Sequence, residues 1–183
     1  MEAVRRSLLV SCLLVGACAD DDGAPEIPAN DYCAPVAKWP AGAQDAELEV
    51  VRLVNEHRSQ GATCGNMTFG PAGPLEAEGH LTCAARVHSR DMADRNFFDH
   101  VNPDGEDPFD RIARTGYGPY RTAGENIALG ADTPEQVVEL WMGSPGHCSN
   151  IMNPDYVHIG VGYVGDGNLW TQVFAAPRED AGP

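Results

Sequence analysis

Basic residues are scarce in this sequence, and lysine is almost absent. The 183 residues include 12 Lys and Arg against 27 Asp and Glu, so the formal net charge is −15. Lys38 is the only lysine, and the arginines are scattered along the chain. Because contacts from basic side chains to phosphates supply most of the affinity of proteins for nucleic acids, this composition excludes a nucleic acid as partner.

Long hydrophobic runs and the common catalytic motifs are also missing. No apolar stretch is long enough to cross a bilayer as a helix, so no integral membrane domain is expected. The sequence contains no His-Glu-x-x-His pair, no phosphate-binding loop pattern and no Gly-x-Ser-x-Gly elbow. It therefore offers no ready-made catalytic motif, which favours a protein that is not an enzyme without deciding the question.

The chain begins with the pattern of an export signal. Arg5 and Arg6 precede an eleven-residue apolar stretch, residues 7–17, which has the length of a signal-peptide core and is too short to span a bilayer. Residues 1–18 are therefore predicted to be a signal peptide. Any contact with a membrane is expected through a lipid anchor alone.

Two cleavage sites are consistent with this signal. Residues 17–19 fit the small-x-small site of ordinary signal peptidase, whereas Leu-Val-Gly-Ala-Cys at 14–18 resembles the bacterial lipobox, whose cysteine becomes acylated. Cys18 is surplus to disulfide pairing, because an even number of cysteines follows it: Cys33, Cys64, Cys83 and Cys148. This surplus favours a lipoprotein anchored to the cell envelope at Cys18, and simple secretion is the alternative.

Composition divides the rest of the chain into three parts. Residues 19–44 begin with three aspartates, contain four prolines and have few large apolar side chains, so they are predicted to be a flexible, solvated tether. Residues 45–177 are predicted to form one domain, and residues 178–183 a frayed tail.

Within the domain, helical patterns precede strand patterns. Apolar residues follow helical spacing over residues 46–60, 76–97 and 109–114, and another helix begins after Thr133 and is ended by Gly143, Pro145 and Gly146. The glycine-rich stretch 116–130 is expected to be irregular. Two strands, 157–164 and 169–175, flank a hairpin turn. This order predicts an α+β domain.

Three loop residues are the strongest candidates for chemistry: His100, Glu125 and His147. Loops carry functional side chains more often than helix faces do. Two imidazoles and a carboxylate can bind a divalent cation such as Zn²⁺ and leave a coordination position open. The same three side chains can also form a hydrogen-bonded structural pocket, and spacings of 25 and 22 residues do not form a metal motif, so the spacing alone favours the structural interpretation.

Taken in order, several segments resemble the CAP superfamily of cysteine-rich secretory, antigen 5 and pathogenesis-related proteins, in its bacterial SCP-like branch. The resemblance covers about residues 45–176. The matching segments are His-Ser-Arg-Asp-Met-Ala at 88–93, Asn-Phe-Phe-Asp-His at 96–100, Ala-Gly-Glu-Asn-Ile-Ala-Leu-Gly at 123–130, Trp-Met-Gly-Ser-Pro-Gly-His at 141–147, Asn-Ile-Met at 150–152, Ile-Gly-Val-Gly at 159–162 and Trp-Thr-Gln-Val-Phe at 170–174.

The resemblance implies a three-layer α–β–α sandwich around a small antiparallel sheet. It also implies a cleft where two histidines and two glutamates meet, which binds a divalent ion in some members. His100, Glu125 and His147 match three of these positions. The fourth departs from the pattern, because Ser144 stands where many relatives have a glutamate and Glu139 lies on the wrong side of Trp141.

The resemblance also suggests a disulfide pairing and a function. Cys64 is expected to pair with Cys148 and Cys33 with Cys83, although four cysteines allow three connectivities. The favoured function is a non-catalytic binding module of the cell envelope, whose cleft takes an ion, a lipid, another small ligand or an envelope component. The alternatives are a metal-assisted hydrolase of peptide or cell-wall bonds and a purely structural domain.

Overall fold

A computed structural model describes residues 23–178 of the chain. The predicted signal peptide, its Cys18 and residues 179–183 of the predicted tail lie outside the described residues. No helix in the described part is both long and apolar enough to cross a membrane. The regular elements, in chain order, are α1 (Ala41–Gln60), β1 (Ala62–Cys64), β2 (Met67–Phe69), β3 (Glu76–Ala77), α2 (Gly79–Arg95), α3 (Pro108–Thr115), β4 (Tyr120–Leu129), α4 (Pro134–Gly143), α5 (Pro145–Met152), β5 (His158–Val164) and β6 (Leu169–Pro177).

A four-stranded sheet forms the middle layer of the domain. Its strands lie in the order β3, β5, β6, β4. Strand β3 runs parallel to β5, and the other neighbours are antiparallel. Strand β4 therefore lies at an edge of the sheet, while β1 and β2 form a separate small hairpin.

Helices cover both faces of this sheet. Along β6, Trp170 and Phe174 pack in the core cluster that contains residues of α1, α4 and α5. Val173 and Ala175 point to the opposite face and pack with residues of α2 and α3. This alternation is the period of two expected for a strand that is buried on both faces. The α+β class and the three-layer sandwich are therefore confirmed.

Helix α2 lies unusually close to β5 because two strand residues lack side chains. A Cβ added to Gly160 would lie 2.1 Å from the backbone carbon of Leu81, and one added to Gly162 would lie 2.4 Å from that of Ala85. Only glycine permits such an approach of helix and strand backbones. This contact fixes the height of α2 above the sheet.

Residues 23–44 do not form the solvated tether that their composition predicts. Cys33 and Val36 are fully buried, a turn of 3-10 helix spans Ala34–Val36, and α1 already begins at Ala41. The disulfide between Cys33 and Cys83 joins this segment to α2. Composition misleads here because one covalent link and a few apolar contacts suffice to order a proline-rich segment.

Two further elements differ from the sequence-based expectation. The stretch 116–130 is not irregular, since it contains β4, which pairs with β6 along its length; the glycines of positive φ, Gly116 and Gly130, lie outside the strand. The helix predicted after Thr133 ends at Gly143, but Pro145 then starts a new helix as its first residue. Proline suits that position because its missing N–H has no partner in a first turn.

The cysteine pairing matches the one that the family resemblance suggests. Cys33 is bonded to Cys83, and Cys64 to Cys148, with sequence separations of 50 and 84. The second bond joins β1 to α5, directly beside His147. It therefore fixes one wall of the candidate site.

Candidate functional site

The three candidate residues come from three different elements near the edge of the sheet. His100 lies in the loop between α2 and α3, Glu125 lies on β4, and His147 lies in the first turn of α5. Because β4 is an edge strand, residues from both faces of the sheet can meet there. Asn126 of β4 holds α5 in place by donating a hydrogen bond from Nδ2 to the backbone oxygen of His147, at 3.1 Å.

Glu125 and His100 are in direct contact. Nδ1 of His100 donates to Oε1 of Glu125 at 2.8 Å. The side chain of Glu125 is 2% exposed, whereas that of His100 is 46% exposed. The hydrogen bond to the Glu125 carboxylate raises the pKa of His100. Since Nδ1 carries the donated proton, Nε2 is left to face other partners.

Arg111 of α3 neutralises the buried carboxylate. Its Nη2 donates to Oε2 of Glu125 at 2.8 Å and to the backbone oxygen of His100 at 2.9 Å. Its Nη1 donates to the backbone oxygen of Glu106 at 3.0 Å. Arg111 is 1% exposed, so this ion pair is shielded from water. One guanidinium thus holds both the carboxylate and the loop that carries His100.

His88 of α2 is a further buried side chain close to Glu125. Its Nε2 donates to the backbone oxygen of Asp99 at 2.9 Å and lies 3.9 Å from Oε1 of Glu125. Burial lowers the pKa of His88 to about 4, so the imidazole is neutral at neutral pH. His88 therefore positions the loop before His100 rather than contributing a charge.

His147 is the third residue of the predicted trio, and its imidazole makes no hydrogen bond to the other two within the described residues. Burial lowers the pKa of His147, and the charge of nearby His100 lowers it further. The structure thus brings His100 and Glu125 into contact and places His147 within electrostatic range of His100.

The donor set does not fit a resident metal ion. Both oxygens of Glu125 are already engaged, one by His100 and one by Arg111. Ser144 stands where the second carboxylate of the family pattern is expected. Within residues 23–178, no three His, Cys, Asp or Glu side chains are grouped so that they could hold a metal ion.

The same geometry argues against acid–base catalysis by Glu125. A general base must lie within hydrogen-bond reach of the substrate proton. Here the carboxylate is buried, and each oxygen accepts from a neighbouring side chain. What the site offers to a ligand is two partly exposed imidazoles, those of His100 and His147.

Comparison with known proteins places this arrangement in a family. The profile of the cysteine-rich secretory protein family, CAP, matches residues 51–175. This chain belongs to that family. Uncharacterized protein YkwD of Bacillus subtilis is 42% identical over 160 residues, which are 86% of this chain and 58% of the relative.

Solved structures of other bacterial proteins share the fold. An extracellular SCP-domain protein of Bacillus anthracis is 28% identical, with a TM-score of 0.64, covering 73% of this chain and 41% of that one. An outer surface protein of Borrelia burgdorferi is 19% identical, with a TM-score of 0.57, covering 71% of this chain and 94% of that one. This chain thus spans about half the length of its Bacillus relatives.

Sequence reasoning missed the two residues that support Glu125. Arg111 falls within the short helix predicted over residues 109–114, and His88 enters only as part of the segment 88–93 of the family resemblance. No pattern in the sequence names Glu125 as the partner of Arg111, because a buried arginine can equally be satisfied by backbone oxygens, as Arg58 is here.

Proposed function

We propose that this CAP-family chain is a binding module without catalytic activity, whose cleft binds a small ligand that carries an anionic or carbonyl group. The observation that supports this proposal is the buried Glu125, which has its charge neutralised by Arg111 and one oxygen bonded to His100. A neutralised carboxylate gives a cation little to bind. The exposed imidazole of His100 instead presents Nε2 to a ligand.

The raised pKa of His100 determines what that imidazole offers. At mildly acidic pH the ring is protonated and Nε2 donates a hydrogen bond, so it favours an acceptor such as a carboxylate. His147, whose pKa is lowered, supplies a neutral imidazole beside it. The carboxyl group of a fatty acid or the headgroup of another amphiphile matches this pair.

An NMR titration of the imidazole ¹⁵N resonances tests the proposal. We expect octanoate and acetate to shift the signals of His100 and His147 saturably, with stronger binding at pH 6 than at pH 8. His80 and His158 serve as internal controls, because they contact Glu78 and Tyr117 instead. His100→Gln should abolish the shift at His147, whereas His80→Gln should preserve it.

Two outcomes would overturn this function. Stoichiometric Zn²⁺ binding that shifts His100, His147 and Glu125, together with hydrolysis of peptide or cell-wall bonds, would support the metal-assisted hydrolase instead. If none of these probes shifts the signals of His100 and His147, the three side chains would have a purely structural role.

We also propose that the chain is exported and held at the cell envelope by an acylated Cys18. Support comes from the signal pattern of residues 1–18, the surplus of Cys18 over the two disulfides, and relatives described as extracellular or outer surface proteins. Labelling with an alkyne fatty acid should mark the wild type in the membrane fraction. Cys18→Ser should lose the label, and a label that persists would contradict the anchor.

A further inference from the structure

The first described residues, 23–26, pack along the β3 edge of the sheet. Gly23 lines a groove together with residues of α1 and β3. The next two residues line the neighbouring gap between α1, β3 and α2. The backbone oxygen of Glu26 lies so close to Gly79, at the start of α2, that a Cβ would not fit there. The N-terminal segment is therefore joined to the domain from residue 23 onwards, well before the disulfide of Cys33.

The candidate cleft lies at the other edge of the sheet. The strand order places three strand spacings, about 14 Å, between β3 and β4. The pairing registers align one residue of each strand, in the order Glu76, His158, Ala175 and Ala123. This line across the sheet ends two residues before Glu125. Helix α1 covers one face of the sheet, and α2 and α3, whose connecting loop carries His100, cover the other. Gly23 and His100 therefore lie at diagonally opposite corners of the domain.

The chain between Cys18 and Gly23 is short compared with the domain. At about 3.5 Å per residue, this linker reaches at most about 18 Å when fully extended. A domain of this size has a radius of gyration of about 15 Å, which corresponds to a sphere about 40 Å across. An acyl group on Cys18 that is inserted in a bilayer therefore keeps Gly23 near the lipid surface. The linker is too short to let the opposite corner turn toward the lipid.

The surface beside Gly23 offers anionic lipids no attraction of its own. The groove that Gly23 lines contains three acidic side chains, those of Asp45, Glu49 and Glu76, and one basic side chain, that of Arg52. Arg52 is bonded to Glu49 at 2.7 Å, so its charge is already neutralised. The remaining excess of acidic groups repels anionic headgroups within the Debye length of about 8 Å. The length of the linker, rather than adhesion of this surface, therefore determines the orientation.

We propose that the acylated chain lies with its β3 edge toward the bilayer and its cleft toward the aqueous side, so that the cleft binds its ligand from solution. This inference rests on the proposed acylation of Cys18. The side chain of His100, which is 46% exposed, then opens away from the lipid. A molecule that stays in the bilayer of the anchor is out of reach of the cleft, because Gly23 can rise only about 18 Å above the lipid surface.

Energy transfer from a fluorophore to acceptor-labelled headgroups tests the orientation. The acylated full chain is placed in vesicles of phosphatidylcholine and phosphatidylglycerol. Asp45→Cys places the fluorophore at an exposed position beside Gly23, and Val101→Cys places it next to His100, at a side chain that is 45% exposed. We expect a transfer rate at least about fivefold higher at position 45, because position 101 is farther from the lipid by much of the domain's diameter.

A longer linker provides the matched control. About twenty Gly and Ser residues inserted before Gly23 give a flexible linker with a root-mean-square length of about 28 Å and an extended reach greater than the diameter of the domain. The domain can then rotate freely. We expect the ratio of transfer rates at positions 45 and 101 to fall below about twofold. Cys18→Ser should abolish transfer at both positions.

Three results would overturn the orientation while leaving the anchor intact. They are equal transfer at the two positions, stronger transfer at position 101, and a ratio that the longer linker does not change. The last result would mean that the surface itself adheres to the lipid. If Cys18→Ser transfers energy as the acylated chain does, the anchor and the orientation are both wrong. Binding in the cleft is tested separately, by the titration with octanoate and acetate.

Discussion

Glu125 has a buried cation on one side and a half-exposed imidazole on the other. Burying a carboxylate costs several kcal/mol unless it is paired and hydrogen-bonded, and Arg111 supplies both at 2.8 Å. The side chains of Glu125 and Arg111 are each 2% exposed, so water cannot solvate either charged group if its partner is removed.

Removing that cation should therefore be costly. Arg111→Met leaves Glu125 buried without its counter-charge and frees the loop of His100, so we expect a loss of about 3 to 5 kcal/mol in the free energy of unfolding. Denaturant titration measures it. Arg90→Met is the matched control, because Arg90 pairs with Asp94 at the surface at 3.5 Å and should change stability by at most about 1 kcal/mol. Equal losses in the two variants would contradict the buried ion pair.

His88 makes stability depend on pH. The unfolded chain protonates this histidine below its ordinary pKa of 6.5, whereas in the folded chain burial lowers the pKa to about 4. The unfolded state therefore binds more protons between these values, and stability falls as pH drops from 6.5 to 4, by roughly 3 kcal/mol.

The pH dependence of unfolding should change accordingly when His88 is replaced. His88→Gln should flatten the decline between pH 6.5 and 4, whatever its stability at neutral pH. His57→Gln, at a half-buried histidine on α1, should leave the decline in place. If stability still falls between pH 6.5 and 4 in His88→Gln, the fall arises from other titratable groups and contradicts this role of His88.

At the scale of elements, the contact between α2 and β5 sets the distance between two layers. Gly160 faces the backbone of α2 with no room for a methyl group. Gly160→Ala should destabilise the fold by about 3 kcal/mol, because backbone rather than a flexible side chain must move. Gly42→Ala is the control, since nothing lies within 4 Å of its added Cβ in the first turn of α1. Thermal unfolding compares the two, and a tolerated Gly160→Ala would contradict the close packing.

The periodicity of apolar residues predicts the helices and strands in which these residues recur regularly. It fails where a contact between distant parts of the chain determines the secondary structure. The strands β5 and β6 and the inner face of α2 follow from their apolar patterns. The strand β4 does not, because the glycines of the stretch 116–130 suggest a loop and only pairing with β6 makes its middle part a strand. Likewise the trio of His100, Glu125 and His147 follows from loop position and family resemblance, while the support of Glu125 by Arg111 depends on a tertiary contact.

At the scale of the whole molecule, two disulfides join parts of the chain that are distant in sequence. The bond between Cys64 and Cys148 closes a separation of 84 residues, and that between Cys33 and Cys83 closes 50. The first anchors α5 beside His147, and the second joins the segment that contains Tyr32 to α2. Each disulfide therefore holds a different part of the domain.

Removing either disulfide should cost similar stability but loosen different regions. In the chain-entropy model, Cys64→Ser with Cys148→Ser loses about 4 kcal/mol, and Cys33→Ser with Cys83→Ser about the same. Hydrogen exchange should increase in α5 only for the first pair, and around Tyr32 only for the second. Exchange that increases equally throughout the domain in both variants would contradict this division.

Glu125 acts as a fixed anchor for His100 rather than as a free acid, base or metal ligand. A pH titration of the imidazole ¹⁵N signals of His100 tests this directly. Because Nδ1 donates to Glu125, we predict a pKa above 6.5 and a neutral form that keeps its proton on Nδ1. A pKa at or below 6.5, or a neutral form protonated on Nε2, would contradict it.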